Sequence, residues 1–226
     1  MSVYAAPLEK SRPWLPYVAP MLAFLGLSGL ERLVPAAAYP LAYAAKVLLT
    51  AAVAFRFRSA WRDLRPEWKE VPLAAGTGLL ALALWVGLDL WPGYPHLGTR
   101  AAFNPLEQLS GPAAQGLFLL VRLVGLALLV PLIEELFWRS FLIRYAITPE
   151  DFRATPIGKL TPAAALLTGF AFAAAHPEWL AAAVTAALYT WLLGRSRSVF
   201  ACVVAHAVTN LGLGWFVLAT GSWRYW

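Results

Sequence analysis

Two adjacent carboxylates, Glu134 and Glu135, lie inside an otherwise apolar run that Arg122 and Arg144 bracket. As a helix, the 21 residues between these basic ends would span about 31 Å, the thickness of the hydrocarbon core of a bilayer. Both carboxylates are therefore predicted near the middle of a membrane, where a charged side chain costs about 2.5 kcal/mol or more. Such residues persist when they are paired, solvated by a polar cavity or needed for function, and we expect a function here.

The composition supports a membrane protein. Of the 226 residues, 60% are apolar and 13% are charged, against about 25% charged residues in soluble domains. We predict an all-α fold, a polytopic transmembrane bundle of about seven to eight membrane helices, in the cell (inner) membrane and in contact with its lipid. The net charge of +6 comes from basic residues between the apolar spans, so it indicates topology, and we expect no nucleic acid as a partner.

Basic residues between the spans also predict orientation. The segment 56–69 is the densest in basic residues, and the positive-inside rule makes it cytoplasmic. The same rule places the N-terminus in the cytoplasm, with Lys10 and Arg12, and the end of the carboxylate helix on that side as well. Residues 113–121 are too short to cross alone, and they are predicted as an interfacial turn or as the start of the carboxylate helix.

Helical spacing separates the two acids. Glu135 and Arg139 are four residues apart and share a helix face, so they are expected to form an ion pair. Glu134 is five residues from Arg139, points elsewhere and is left free to act as a base toward a cavity. Pro131 removes a backbone hydrogen bond and can open polar space beside it. The alternative is that both acids only neutralise Arg139 and neighbouring positive charge.

Two later helices bring further polar groups to membrane depth. Thr161 and Pro162 form a predicted N-cap and N1 pair for a helix that should end at His176. His206 and Asn210, four residues apart, share one face of the last span. Counted from the cytoplasmic helix ends, Glu134 and His206 lie at matching depths of about 12 to 14 Å, whereas His176 comes out at about 22 Å. The depth of His176 therefore disagrees with that of the other two.

Three ionisable residues outside this group have predicted roles that are not catalytic. Lys46 lies within the second apolar span, where it could pair inside the bundle or extend toward the interface. Cys202 is expected to be a buried structural thiol. His96 belongs to a loop rich in proline and glycine, where a solvated role is favoured over catalysis.

A carboxylate, two imidazoles and an amide together suit hydrolysis of a peptide bond. A glutamate shielded from bulk water can act as a general base toward a trapped water molecule. A neighbouring histidine can share that water or protonate a leaving amine, while an imidazole and an amide could stabilise an oxyanion. For either histidine alone, a purely structural role is the more common outcome.

The same residues carry a resemblance to a known family. They form three ordered motifs: Glu134-Glu135-x-x-x-Arg139, Phe172-x-x-x-His176 and His206-x-x-x-Asn210. This pattern resembles that of the CPBP family, also called ABI or CAAX-protease-like, and the compact chain is similar to its bacterial members. The match covers about 123–215. We accordingly predict one integral-membrane domain, 1–226, with variable N-terminal helices over 1–110 and a catalytic core over 123–215.

The resemblance implies a glutamate-dependent intramembrane endopeptidase that uses neither a metal nor another cofactor. By motif position, Glu134 and His176 would activate water, while His206 and Asn210 would support the oxyanion. The remaining motif residues, Glu135, Arg139 and Phe172, would have supporting roles. The implied substrate is a membrane-associated or lipidated protein.

Three other functions remain compatible with the sequence. A zinc-dependent membrane peptidase is possible because one carboxylate and two histidines can bind a metal, although no HExxH pair is present. A membrane scaffold or immunity protein without enzymatic activity could keep the polar cluster for helix packing. A transporter could use the same groups as a proton relay, but no inverted repeat is visible.

Overall fold

The computed structural model describes residues 7–91, 93–98 and 102–225 of the chain. Residues 1–6, at the predicted cytoplasmic N-terminus, lie outside the described residues. Seven helices of at least 13 residues occur in the described part of the chain: α1 (Leu15–Glu31), α2 (Tyr39–Arg56), α3 (Val71–Asp89), α4 (Pro112–Tyr145), α5 (Pro162–Ala174), α6 (Trp179–Ser196) and α7 (Val199–Thr220).

The predicted fold class is confirmed, because the described residues form helices, turns and loops and no strand. Four helical stretches are long and apolar enough to cross a membrane: Ala36–Arg56, Trp68–Asp89, Pro112–Tyr145 and Val199–Thr220. Two apolar helices, α1 and α5, are shorter. The 13 residues of α5 span about 20 Å, less than a hydrocarbon core. The chain is therefore a multi-pass membrane protein with helices of unequal reach.

The longest helix, α4, carries the two adjacent carboxylates. Its 34 residues include two π-helical segments, Gly125–Leu129 and Leu136–Leu142, on either side of the α-helical turns Val130–Glu135. Residues 113–121 form its start, which decides between the two predictions made for that stretch. Wider π turns of this kind frequently accompany functional sites, and here they flank both glutamates.

The start of α5 agrees with the prediction, and its end does not. The side chain of Thr161 accepts a hydrogen bond from a backbone N–H of the first turn, and Pro162 is the first helical residue. The helix ends at Ala174, two residues before the predicted end, because its last turn tightens until the His176 N–H bonds to the Ala173 carbonyl. His176 thus lies in the turn between α5 and α6.

A close approach of α3 and α7 fixes the position of the last helix. A Cβ at Gly78 would collide with the carbonyl oxygen of Ala205, so only glycine allows this distance. In the same gap, the hydroxyl of Thr209 lies 2.8 Å from the Gly78 carbonyl oxygen. The Tyr189 hydroxyl of α6 donates to Thr209 over 2.7 Å. The helix that carries His206 is therefore hydrogen-bonded to two neighbours.

One carboxylate connects the N-terminal part of the chain to α4. Asp63 Oδ2 accepts hydrogen bonds from Tyr17 (2.8 Å), Ser140 (2.6 Å) and Arg144 (2.6 Å). The basic segment 56–69 and the end of α4 consequently lie at the same end of the bundle, where the sequence placed them. That this end is cytoplasmic stays a prediction.

Two of the ionisable residues outside the motifs have partners inside the bundle. Lys46 forms a buried ion pair with Glu31, which is one of the two outcomes expected for it. Cys202 is fully buried, with Sγ 3.6 Å from the Tyr189 carbonyl oxygen, in agreement with a structural thiol.

Candidate active site

A cavity of about 260 Å³ lies inside the bundle between helices from both halves of the chain. Its wall includes the four side chains that the sequence predicted as catalytic: Glu134, His176, His206 and Asn210. Because a water molecule takes up about 30 Å³ in the liquid, the space is sufficient for several waters or for part of a peptide. His176 and Glu134 line the same cavity, although the sequence estimate gave them different depths. The depth estimate assumed that every helix begins at the membrane surface.

Glu134 is 6% exposed, and its Oε2 is buried with no hydrogen-bond partner among the described residues. Buried carboxylate oxygens are normally satisfied by a protein donor or by water. The ion pair with Arg139 is formed by Glu135, and the Glu134 side chain lines the cavity.

Glu135 is completely buried and joins two helices. Its Oε2 lies 3.3 Å from Arg139 Nε, so the predicted i,i+4 ion pair is present. Its Oε1 lies 2.8 Å from His206 Nδ1 on α7, a contact that the sequence did not reveal. A carboxylate only accepts, so Nδ1 carries hydrogen and Nε2 is the nitrogen of His206 that this contact leaves available.

The Arg139 guanidinium packs between aromatic rings. Its Cζ lies 4.7 Å from the ring centroid of Phe172 and 5.3 Å from that of Tyr189. Cation–π contacts of this kind are strongest where water is excluded, and Arg139 is only 1% exposed. The predicted supporting residues Glu135, Arg139 and Phe172 are thus in buried contact with one another through Arg139, and Phe172 also lines the cavity.

His176 has a defined tautomer. Its Nδ1 lies 2.8 Å from the carbonyl oxygen of Phe172, which can only accept, so Nδ1 carries the hydrogen and Nε2 of the neutral ring is an acceptor. The centroid of its ring lies 4.5 Å from that of Phe172 and 5.7 Å from that of Trp85, which it meets edge-on. Phe172 therefore orients His176 through both its backbone and its ring.

Asn210 satisfies a carbonyl group that the irregular part of α4 exposes. The N–H of Val130 donates to the Gly125 carbonyl, in π register, so the carbonyl of Leu126 loses its usual donor. The next residue in line for that carbonyl is Pro131, which has no N–H. Asn210 Nδ2 donates to the Leu126 carbonyl over 2.8 Å. The Leu126 carbonyl is thus the polar group that lies beside Pro131, and Asn210 donates one of its two amide hydrogens to it.

The loop after α3 is hydrogen-bonded to the turn that carries His176. The Leu97 N–H donates to the Pro177 carbonyl (2.9 Å), and Trp179 Nε1 donates to the Pro95 carbonyl (2.8 Å). The turn between α5 and α6 is therefore positioned by hydrogen bonds to the loop after α3, which belongs to none of the three motifs.

Beside this loop, polar side chains contact the carboxylate of Asp89, at the end of α3. His96, for which a solvated role was predicted, has Nε2 2.5 Å from Asp89 Oδ1, while the Tyr225 hydroxyl donates to Oδ2. Burial, and next the hydrogen bond to Asp89, raise the pKa of Tyr225 to about 12. Tyr225 therefore remains a protonated hydrogen-bond donor at physiological pH, and it lines the cavity.

Two cavity residues were missed by sequence reasoning. Trp85 contacts the ring of His176, and Tyr189 packs 5.5 Å from the ring of His206 while also facing Arg139. Aromatic residues on membrane helices usually pack against neighbours, so their sequence context carries no signal for a site. Only the positions of the histidines in space identify them.

Residues 116–212 match the family model described as type II CAAX prenyl endopeptidase Rce1-like. The match begins in α4 and ends in α7, covers less than half of the chain and includes every residue of the three motifs. No curated protein and no solved structure matches the chain.

Proposed function

We propose, on the premise that residues 116–212 form an Rce1-like domain of the CPBP family, that the chain hydrolyses a peptide bond with Glu134 as general base. The family is one of CAAX-protease-type membrane endopeptidases, which supports a membrane protease. The observation that supports the glutamate mechanism is the buried Glu134 oxygen, which has no donor among the described residues, in a side chain that lines the same cavity as His176, His206 and Asn210.

Water activation uses Glu134 and His176. Nε2 of neutral His176 accepts one hydrogen of a cavity water, and the Glu134 carboxylate accepts the other. The water oxygen attacks the scissile carbonyl carbon, and its proton passes to Glu134. The C–N bond then breaks as that proton is delivered to the leaving amine, and the new carboxylic acid becomes a carboxylate when its remaining proton passes to His176 Nε2.

Oxyanion stabilisation uses His206 and Asn210. The second hydrogen on Asn210 Nδ2 can donate to the oxyanion, because the first is taken by the Leu126 carbonyl. His206 can donate through Nε2 only as an imidazolium, whose charge the Glu135 carboxylate at Nδ1 would balance. The Glu135 carboxylate holds His206 in position, and the Leu126 carbonyl holds Asn210.

The proposed substrate is a membrane-associated or lipidated protein in the cell (inner) membrane. The cavity is lined largely by transmembrane helices, so a substrate reaches it from the bilayer or its surface. The chemistry derived above needs no cofactor.

The proposal is tested by comparing membrane proteomes of cells that carry the parent chain or Glu134→Ala. We expect new protein termini in the parent that are missing in the variant, while both proteins accumulate in the membrane to equal levels. Equal processing by the two strains would contradict an enzymatic function and favour a membrane scaffold or immunity protein.

The zinc-dependent alternative predicts a different response to chelation. Among residues 7–91, 93–98 and 102–225, no three His, Cys, Asp or Glu side chains are grouped as a metal site. We expect EDTA or 1,10-phenanthroline to leave the activity of the purified protein within about twofold, because zinc sites need at least three protein ligands. Loss of activity that added zinc restores would replace the glutamate mechanism with a zinc peptidase.

A further inference from the structure

Three connections between helices lie together at one end of the bundle. Asp63 joins the α2–α3 connection to the end of α4. In the same connection, the ring of Trp68 lies 5.4 Å from that of Phe200 at the start of α7. The α4–α5 connection meets the turn between α6 and α7, since a Cβ at Gly158 would lie 3.0 Å from the Cα of Arg197. The three connections therefore form one surface.

This surface, which we call the basic end, carries an excess of positive charge. It consists of residues 7–14, 56–70, 144–161 and 195–199. The segment before α1 belongs to it because Arg153 donates to the Pro13 carbonyl over 2.7 Å. The basic end holds twelve Lys or Arg residues and six Asp or Glu residues, a net charge of +6. An ion pair uses one charge of each sign, so pairing within the surface leaves this excess unchanged.

Among the described residues, the opposite end of the bundle has no excess of positive charge. Its loops meet through the hydrogen bond of Leu97 to Pro177, and the C-terminal segment joins them through that of Tyr225 to Asp89. Two Lys or Arg residues and four Asp or Glu residues occur there, within the ranges 31–38, 89–91, 93–98, 102–111, 175–178 and 221–225. Positive charge is therefore concentrated at one end of the bundle axis.

The positive charge of the basic end is accessible to a ligand. Ten of its twelve basic side chains are exposed. In the α2–α3 connection these are Arg58, Arg62, Arg65 and Lys69. The side chain of Lys69 is 77% exposed, although it lies 4.0 Å from a carboxylate oxygen of Glu67. Exposed ion pairs of this kind are weak, so these cations remain available to other anions.

Exposed aromatic residues place these cations at the level of the lipid head groups. Trp68 is 73% exposed and begins one of the four membrane-spanning stretches, and Phe55 is 58% exposed at the end of α2. Tryptophan at the end of a membrane span marks the interface between membrane and water. Lys69 follows Trp68 directly, and the guanidinium carbon of Arg58 lies 4.7 Å from the centroid of the Phe55 ring.

We propose that the basic end binds the head groups of anionic phospholipids. Attraction to an anionic membrane surface strengthens binding about fivefold for each Lys or Arg that lies near it. Head groups already surround the ends of the helices at this level, whereas an acidic protein or a nucleic acid would have to approach from the water. No residue of the three motifs belongs to the basic end, so lipid binding there is independent of the proposed catalysis.

The test measures how strongly the full chain retains two spin-labelled lipids, phosphatidylglycerol and phosphatidylcholine, in nanodiscs of unlabelled phosphatidylcholine. Electron paramagnetic resonance separates lipid that is immobilised at the protein from lipid that moves freely. At 0.1 M NaCl, we expect phosphatidylglycerol to associate about 3- to 5-fold more strongly than phosphatidylcholine. At 1 M NaCl, the screening length falls from about 10 Å to about 3 Å, and the two lipids should differ by less than about 1.5-fold.

Two variants that each remove two exposed cations locate the binding surface. Arg65→Gln with Lys69→Gln, at the basic end, should lower the preference for phosphatidylglycerol about twofold. Arg32→Gln with Arg224→Gln makes the same change at the opposite end and should keep the parental preference. Arg58→Glu, Arg65→Glu and Lys69→Glu together bring the net charge of the basic end to zero, and this variant should have no preference.

Equal association of the two lipids with the parent at 0.1 M NaCl would overturn the proposal. A charge-reversed protein with the parental melting temperature and the parental preference would place the anionic lipid elsewhere and overturn it as well. If the charge-reversed protein does not fold, the double glutamine variant decides, and an unchanged preference there has the same meaning. Binding of single-stranded RNA or polyglutamate by a parent that treats both lipids equally would identify a soluble polyanion as the ligand instead.

Discussion

Replacing Glu134 by glutamine should lower kcat/KM for a cleaved peptide by about 10²- to 10⁴-fold, the usual contribution of a general base. Glutamine has nearly the same volume as glutamate but cannot accept the proton of water. The Oε2 atom has no donor among the described residues, so the substitution breaks no hydrogen bond at that atom. The melting temperature should therefore stay within a few degrees of the parent, and the measurement pairs steady-state kinetics with a thermal scan in the same detergent.

Glu150→Gln is the matched control for this variant, because Glu150 is exposed in the connection between α4 and α5. It makes the same chemical change outside the cavity and should keep full activity. If Glu134→Gln retained parental kcat/KM with the same peptide, the general-base role would be wrong, and the water would need a different activating group.

Replacing Arg139 by leucine should destabilise the protein by about 3 to 5 kcal/mol, because it leaves the fully buried Glu135 without its guanidinium partner. The variant also loses the cation that packs on the rings of Phe172 and Tyr189. For a chain of this size, the loss corresponds to a fall in melting temperature of roughly 6 to 20 °C. Thermal unfolding followed by tryptophan fluorescence measures it.

The combined variant Glu135→Gln with Arg139→Leu tests the electrostatic explanation. Removing both charges should recover part of the lost stability, since a buried pair costs much less to remove than to break. Arg195→Leu, at the exposed end of α6, is the control for replacing an arginine and should change the melting temperature little. An Arg139→Leu protein as stable as the parent would show that this ion pair does not support the fold.

Local spacing predicted the contacts that lie within one helix. The four-residue separation of Glu135 and Arg139 indicated their ion pair, and Thr161 before Pro162 indicated the cap of α5. Pro131 indicated a break in backbone hydrogen bonding, and the structure has a π-helical segment beside it. These features depend on a few consecutive residues, so a single sequence contains them.

Contacts between helices could not be predicted in the same way. His206 bonds to Glu135 across 71 residues of chain, and Arg144 bonds to Asp63 across 81. The periodicity of a sequence indicates which residues share a helix face, but it does not indicate which other helix packs against that face. That His176 and Glu134 line one cavity likewise depends on how α5 packs against its neighbours, which spacing within a helix does not give.

The loop after α3 has a consequence for how chains with these three motifs are compared. It fastens the Pro177 turn through Leu97, and so sets where the neighbouring imidazole of His176 sits, yet it belongs to the half of the chain that carries no motif. Comparing motifs alone is thus an incomplete comparison of such chains: a homologue with every motif residue intact but a shortened loop would lose the hydrogen bonds that hold the turn beside His176. Exchanging that loop between homologues tests how far it sets the position of this histidine.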